Sequence, residues 1–294
     1  MNRSKGLRVL VGLAALAAVL AGGFFLLGPW VPTWGSSAQE RARSMPGDDI
    51  AAPPLVDWTH GITVRAAPEA VWPWIAQLGD VRGGFYSYTF IENFIAREQM
   101  YRNADRIIPE LQNPAPGTGM IMDFLQMREI VPARHLLAAL ELPEMRMSWV
   151  WALYPREPGH TRLVVRMRGH PDLKAPALLM GVATFFVNYG GFVMERKMMQ
   201  GIKDRAEGRI EPPWFQRAEI VLWLLALGLG VAAAVACVGR RAWWRGLATG
   251  LAAAVLLFFL TFGQPPLWIR GLLLLLLAVG VAWALRSEPL RRKG

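Results

Sequence analysis

The chain has 294 residues, 53% of them apolar, and a formal charge of +10 at pH 7. Such a surplus raises the prospect of nucleic acid, and its distribution removes it. The excess sits at the ends of four apolar runs, as Arg3, Lys5 and Arg8, then Arg240, Arg241 and Arg245, then Arg286, Arg291, Arg292 and Lys293, while residues 39–217 are close to neutral. The one cysteine, Cys237, falls inside an apolar run and reads as a small packed helix residue, so no disulfide framework is expected.

The four runs are Val9–Leu27, Ile220–Gly239, Gly246–Gln264 and Leu267–Leu285, and the second, third and fourth transmembrane helices are expected over 219–239, 246–264 and 267–285. About 20 apolar residues in a helix cross the roughly 30 Å hydrocarbon layer. Arg270 lies near the start of the fourth run and is expected to snorkel to the interface. Short basic flanks stay on the cytoplasmic side. The expected topology is therefore an integral plasma (inner) membrane protein with both termini cytoplasmic. Residues 1–28 hold the N-terminus and first span, 286–294 form a basic cytoplasmic tail, and residues 28–219 lie on the extracytoplasmic side. Trp30, Trp34, Trp214, Trp243, Trp244 and Trp268 fall near the run ends, where indoles favour the headgroup zone. A second reading of the first run stays open. Its basic start and the small residues Ser36-Ser37-Ala38 resemble a cleaved secretory signal, although the run is long for one.

Within the exported segment, residues 29–55 are polar and rich in Pro, Gly and Ala, and read as a linker. A folded domain is expected over 56–210. Thr59–Arg65 reads as a strand. Pro68 opens a helix over Glu69–Leu78 that Gly79 ends, and a second short helix spans Thr89–Arg97. Strand-like runs follow at Met120–Phe124, Arg128–Val131, His135–Leu142, Met145–Tyr154 and Thr161–Arg168, and their turns suggest an antiparallel meander. In the last of them Leu163, Val165 and Met167 alternate with Arg162, Arg166 and Arg168, so the arginines are expected on a solvated face. Ala177–Glu207 carries an apolar stripe of Leu179, Ala183, Phe186, Gly190, Met194, Met198 and Ile202 at helical spacing, and closes the domain as a long helix. Gly190-Gly191 is expected to weaken its middle. The class is α+β.

The blocks PEAVWPWIAQLG, RGGFYSYTFIEN, NADRIIPELQ and FVMERKMMQGIKDRAEG together resemble the SRPBCC superfamily, the START/Bet v1-like helix-grip group that includes polyketide cyclase/dehydrase-like proteins. The resemblance covers roughly Asp57–Gly208. The RGGFYSYTFIEN and NADRIIPE blocks are similar to a branch of uncharacterised bacterial proteins, some membrane-attached. The resemblance implies an α+β helix-grip domain, in which an antiparallel sheet wraps a long C-terminal helix over an elongated apolar cavity. It further implies that such a cavity takes a lipid or other hydrophobic small molecule.

His60, His135, His160 and His170 show no metal-ligand spacing, and no phosphate loop, nucleophile elbow or zinc-protease motif is present. No metal or cofactor is expected. The candidate cavity residues are Tyr86, Tyr88, Phe90, Glu92, Met122, Phe124, Trp149, Trp151, Arg166, Phe186 and Tyr189, any one of which could instead fill a closed core. Glu92, near Arg106 or Arg166, and His170 are the candidates for acid–base chemistry, against a structural ion pair for Glu92. The expected partners are a hydrophobic small molecule or lipid, the membrane, and a membrane protein docking on the C-terminal spans. A binding role is favoured over a cyclase/dehydratase-type enzyme, with a membrane scaffold or sensor as a third reading.

Overall fold

The computed structural model describes residues 3–96, 102–121, 123–172 and 175–288, so Met122, Arg97 and most of the basic tail lie outside the described residues. The chain divides into two compact units, Pro29–Glu211 and a second formed by Met1–Gly28 with Pro212–Gly294. The class is mixed α+β, with one six-stranded antiparallel sheet.

In the first unit the strands are β1 (Val56–Val64), β2 (Gly119–Ile121), β3 (Leu125–Val131), β4 (His135–Leu142), β5 (Met145–Pro155) and β6 (Thr161–Pro171). Their order is β1-β6-β5-β4-β3-β2, a meander from β2 to β6 with β1 added beside β6. Period-two alternation assigns the faces. Trp151, Leu153, Leu163 and Val165 point to one side. There they meet Val71, Trp74 and Ile75 of one helix (Pro68–Ala76) and Met198, Met199 and Ile202 of another (Ala177–Ala206). The long helix runs unbroken through Gly190-Gly191, so the pair does not interrupt it.

The opposite face is not solvated. Leu137, Val150, Ala152 and Val164 on that side are buried beneath Met45 and Ile50, which belong to the segment expected as a linker. That segment is an ordered strap. It holds a one-turn 3-10 helix at Val31–Thr33 and a short helix at Ala38–Ala42, whose Ser37 and Glu40 form a reciprocal capping box. Number the helices α1 (Arg3–Leu27), α2 (Ala38–Ala42), α3 (Pro68–Ala76), α4 (Thr89–Ala96), α5 (Ala177–Ala206), α6 (Trp214–Gly239), α7 (Trp243–Phe258) and α8 (Leu267–Leu285).

The strap is tied down by the arginines of β6, which corrects their expected exposure. Arg166 is 2% exposed. Its guanidinium donates to Thr59 Oγ1 at 2.9 Å, to Asp48 Oδ2 at 2.8 Å and to the carbonyls of Glu40, Arg41 and Arg43 at 2.8–3.0 Å. Arg162 donates to Glu40 Oε1 at 2.7 Å, and that bond holds the Glu40 carboxyl down to about 2. A planar fork with five N–H donors suits a row of carbonyls at fixed spacing.

In the second unit α1, α6, α7 (which continues as a π-turn over Phe259–Gly263) and α8 are each long and apolar enough to cross a membrane. By length and composition α5 is a fifth such helix. Its C-terminal half, however, carries buried Glu195, Lys197 and Arg205 within the α+β unit. Arg270 does not snorkel. It is 2% exposed, its Nη2 lies 2.6 Å from Glu219 Oε1, and its Nε donates to the Pro265 carbonyl at 2.8 Å. The reason is that α6 begins at Trp214, ahead of the expected start at 219, so Glu219 sits within the helix and meets the guanidinium. Trp30 and Trp34 pack within the α+β unit, Trp30 edge-on to Phe192 at 5.0 Å and Trp34 edge-on to His60 at 6.1 Å.

Candidate functional site

Between the sheet and α5 lies a cavity of about 350 Å³. The strands contribute Trp58 from β1, Met147 and Trp149 from β5 and Met167 from β6. The wall from α5 runs from Val187 through Gly191, Met194 and Glu195 to Met198, and Phe85, Ser87, Glu92 and Ile121 close the remaining side. Along that helical wall exposure falls from 42% at Val187 to 1% at Met198, so the cavity opens toward the N-terminal half of α5. Neighbouring Leu178, Leu179 and Phe186 are exposed there.

Gly191 is required by the close approach of Trp58, because a Cβ there would overlap the indole ring. The same indole donates from Nε1 to Asn188 Oδ1 at 2.9 Å, which fixes the ring against the cavity.

A buried polar group crosses from β1 to α5. His60 Nδ1 is in direct contact with Glu195 Oε1, Trp149 Nε1 donates to Glu195 Oε2 at 3.0 Å, and His60 Nε2 lies 2.7 Å from the Val31 carbonyl. A carbonyl only accepts, so Nε2 carries a proton, and a second proton lies between Nδ1 and the carboxylate. Trp58 stacks on the imidazole at 5.9 Å, and Phe192 stands edge-on at 5.5 Å. The group therefore joins strap, sheet and long helix at one point.

Glu92 is different. It is 9% exposed, it lines the cavity, and neither carboxylate oxygen has a hydrogen-bond partner among the described residues. Burial alone pushes its carboxyl up to about 7. The folded chain thus prefers the neutral acid, and the sign of the pH dependence follows. The preference adds nothing below about pH 4.5, and a penalty grows as pH rises toward 7 and persists above it. Glu92→Gln is accordingly expected to stabilise the protein by on the order of 3 kcal/mol at pH 8 and to leave it unchanged at pH 4. Thermal unfolding at the two pH values checks this; equal effects at both would show that the carboxyl is solvated.

Of the residues expected in the cavity, the structure brings Glu92 and Trp149 to it. Trp151 is fully buried behind Trp149, with ring centroids 4.4 Å apart, and belongs to the core. Tyr86 is also core, its hydroxyl donating to the Trp74 carbonyl at 3.1 Å and accepting from Gln77 Nε2 at 2.9 Å. Burial pushes that phenol up, well out of its ordinary range. Tyr88 is buried with Lys197 over its ring at 5.5 Å. Phe90, Phe124 and Phe186 are exposed, and Tyr189 packs on Phe185 at 4.8 Å.

Arg166 is on the other face of the sheet, under the strap, so it makes no pair with Glu92. His170 sits at the end of β6, facing the Pro53 carbonyl at 2.5 Å and Asp172 at 3.2 Å, and takes no part in the cavity. The residues missed include Trp58, Met147, Met167, Gly191, Met194 and, beside them, His60 and Glu195. A signal for the last two existed. His60 alternates in phase with Trp58, Ile62 and Val64, and Glu195 falls four residues after Gly191 and seven before Ile202, so each is a polar residue on an apolar face. Among the described residues no three His, Cys, Asp or Glu side chains converge as metal ligands would.

No protein-family model matches the chain, and no curated protein matches it. Among solved structures, protein MLL2253 from Mesorhizobium loti is 16% identical, with a TM-score of 0.29, over 52% of this chain and 99% of that one. A conserved protein of unknown function from Enterococcus faecalis, EF2215, is 10% identical, with a TM-score of 0.23, over 50% of this chain and 69% of that one. At this similarity neither carries a functional argument.

Proposed function

We propose that the chain is a membrane-tethered binding protein whose α+β unit, a helix-grip domain of the SRPBCC type, takes a hydrophobic small molecule or lipid between sheet and α5. The observation that carries this reading is the cavity of about 350 Å³, walled almost wholly by Trp, Met, Phe, Ile and Val side chains. Its size and lining are those of small-molecule sites. The apolar helices hold the chain in a bilayer, and the basic flanks favour both termini in the cytoplasm with the α+β unit on the far side.

Mass spectrometry of solvent extracts from the purified full chain tests this, with one apolar molecule per chain as the expected result. Met194→Trp, which fills the cavity from α5, is expected to reduce the extracted amount at least tenfold. Equal recovery from both proteins would place the molecule elsewhere.

A second reading is favoured by Glu92 alone. A carboxyl at about 7 inside an apolar cavity suits general acid–base work, as in a cyclase/dehydratase-type enzyme. The two readings part on the fate of the extracted molecule when it is supplied again. Recovery unchanged supports binding, and conversion that Glu92→Gln abolishes supports catalysis.

A further inference from the structure

The polar groups around the cavity are taken, except one. Ser87 Oγ donates to the Met194 carbonyl at 2.7 Å. Glu195 is held by His60 and Trp149, and the Trp58 N–H by Asn188. Glu92 keeps both oxygens buried, without a partner among the described residues, and it borders the cavity. An unpaired buried carboxyl is costly, and folded proteins retain such a group where something else completes it.

We propose that Glu92 is the polar anchor of the bound molecule, and that the ligand is an amphipathic compound with one terminal hydrogen-bond donor, a hydroxyl or an amine, on an apolar body. This rests on the cavity being the binding site. A volume near 350 Å³ falls within the range of cavities that take small organic ligands. A neutral carboxyl both donates to and accepts from a hydroxyl, whereas the ionised form pairs with an ammonium. Anionic headgroups are refused, because a second negative charge beside a desolvated carboxyl is disfavoured. Fatty acids and phosphate esters are therefore poor ligands in this orientation, and long-chain alcohols or amines are good ones.

The test uses the full chain in nanodiscs with photoreactive twelve-carbon probes that differ only at the end, bearing a hydroxyl, an ammonium, a carboxylate or a methyl group. Labelled peptides are mapped by mass spectrometry. The expected result is that the hydroxyl or the ammonium probe labels peptides containing Met147–Trp149 or Met194 at least tenfold more than the methyl and carboxylate probes. Glu92→Leu is expected to abolish that preference while the methyl probe still labels, which shows that the cavity is intact. Glu92→Gln separates the two donors. In this variant hydroxyl labelling is expected to persist and ammonium labelling to fall, since an amide still donates and accepts but carries no charge. Whichever of the two probes labels the unaltered chain more strongly identifies the ligand as an alcohol or an amine. Equal labelling by all four probes in the unaltered chain overturns the anchor and leaves the cavity reading standing. Absence of cavity labelling by every probe overturns both.

Discussion

His60→Ala is expected to lower stability by about 3–5 kcal/mol, the usual result of breaking a buried ion pair from one side. The side chains of His60 and Glu195 are 0% and 2% exposed, so no water replaces the lost partner. Glu195 would retain the Trp149 N–H alone, and the Val31 carbonyl would lose its donor. The fall in midpoint is roughly 6–20 °C for a unit of this size, readable by tryptophan fluorescence in detergent. Replacing both residues by leucine is expected to recover only part of the loss, because the buried charge is removed with its partner while the Trp149 N–H and the Val31 carbonyl stay unpaired. A single His60→Ala variant within 1 kcal/mol of the parent would mean that the pair is hydrated and the cavity wetter than its lining implies.

Arg166→Met is expected to have the other large effect, also about 3–5 kcal/mol, but with a local signature. The variant leaves Asp48 and the carbonyls of Glu40, Arg41 and Arg43 without their shared donor. The strap then opens ahead of the sheet, so tryptic cleavage after Arg41 and Arg43 is expected to accelerate about 100-fold or more while cleavage in the strands does not. Arg166→Lys does not rescue, since one ammonium with three donors cannot span Thr59, Asp48 and three carbonyls. Uniform acceleration at all sites would instead indicate global unfolding and deny the strap an opening of its own.

Those two clusters also explain where the sequence was legible. Alternation gave the strands, because one side of each faces the core whatever covers the other. The apolar runs gave the long helices, and the last of them begins and ends where its composition does. The errors share a cause, which is that a polar residue on a polar-looking face has two destinations, water or another polar segment. The alternating arginines of β6 and the polar stretch 29–55 were each read as solvated, and each is the partner of the other. Arg270 and Glu219 repeat the pattern among the long apolar helices, where the carboxylate stands at the first residue of the expected span and is the partner of the arginine expected to snorkel. In the site, Trp149 and Glu92 were found from local periodicity and from carboxyl chemistry. Trp58, Met194 and Gly191 were not, because they become cavity residues only through the register of β1 on β6 and the crossing of α5, which join positions far apart in the chain. Tyr86 misled for a local reason. Its left-handed backbone (φ 57°) turns the ring into the core, where Arg205 covers it at 4.4 Å.

One property of β1 bears on how the molecule behaves in a crowded membrane. It is an outer strand of the sheet, and an outer strand with free N–H and C=O groups invites a second chain to pair with it. Toward the C-terminal end of the strand several outward groups are occupied. The Gly61 N–H donates to the Trp34 carbonyl at 3.1 Å, the Thr63 carbonyl accepts from Lys203 Nζ at 2.7 Å, and the Arg65 N–H donates to Glu207 Oε1 at 2.8 Å. Gly35, in the left-handed region (φ 67°), lets the strap come down onto Gly61. At the far margin β2 is only 3 residues long and its pairing with β3 is interrupted by a register shift. Neither margin offers a long flat ladder, so copies of this chain concentrated in a bilayer resist strand-to-strand aggregation.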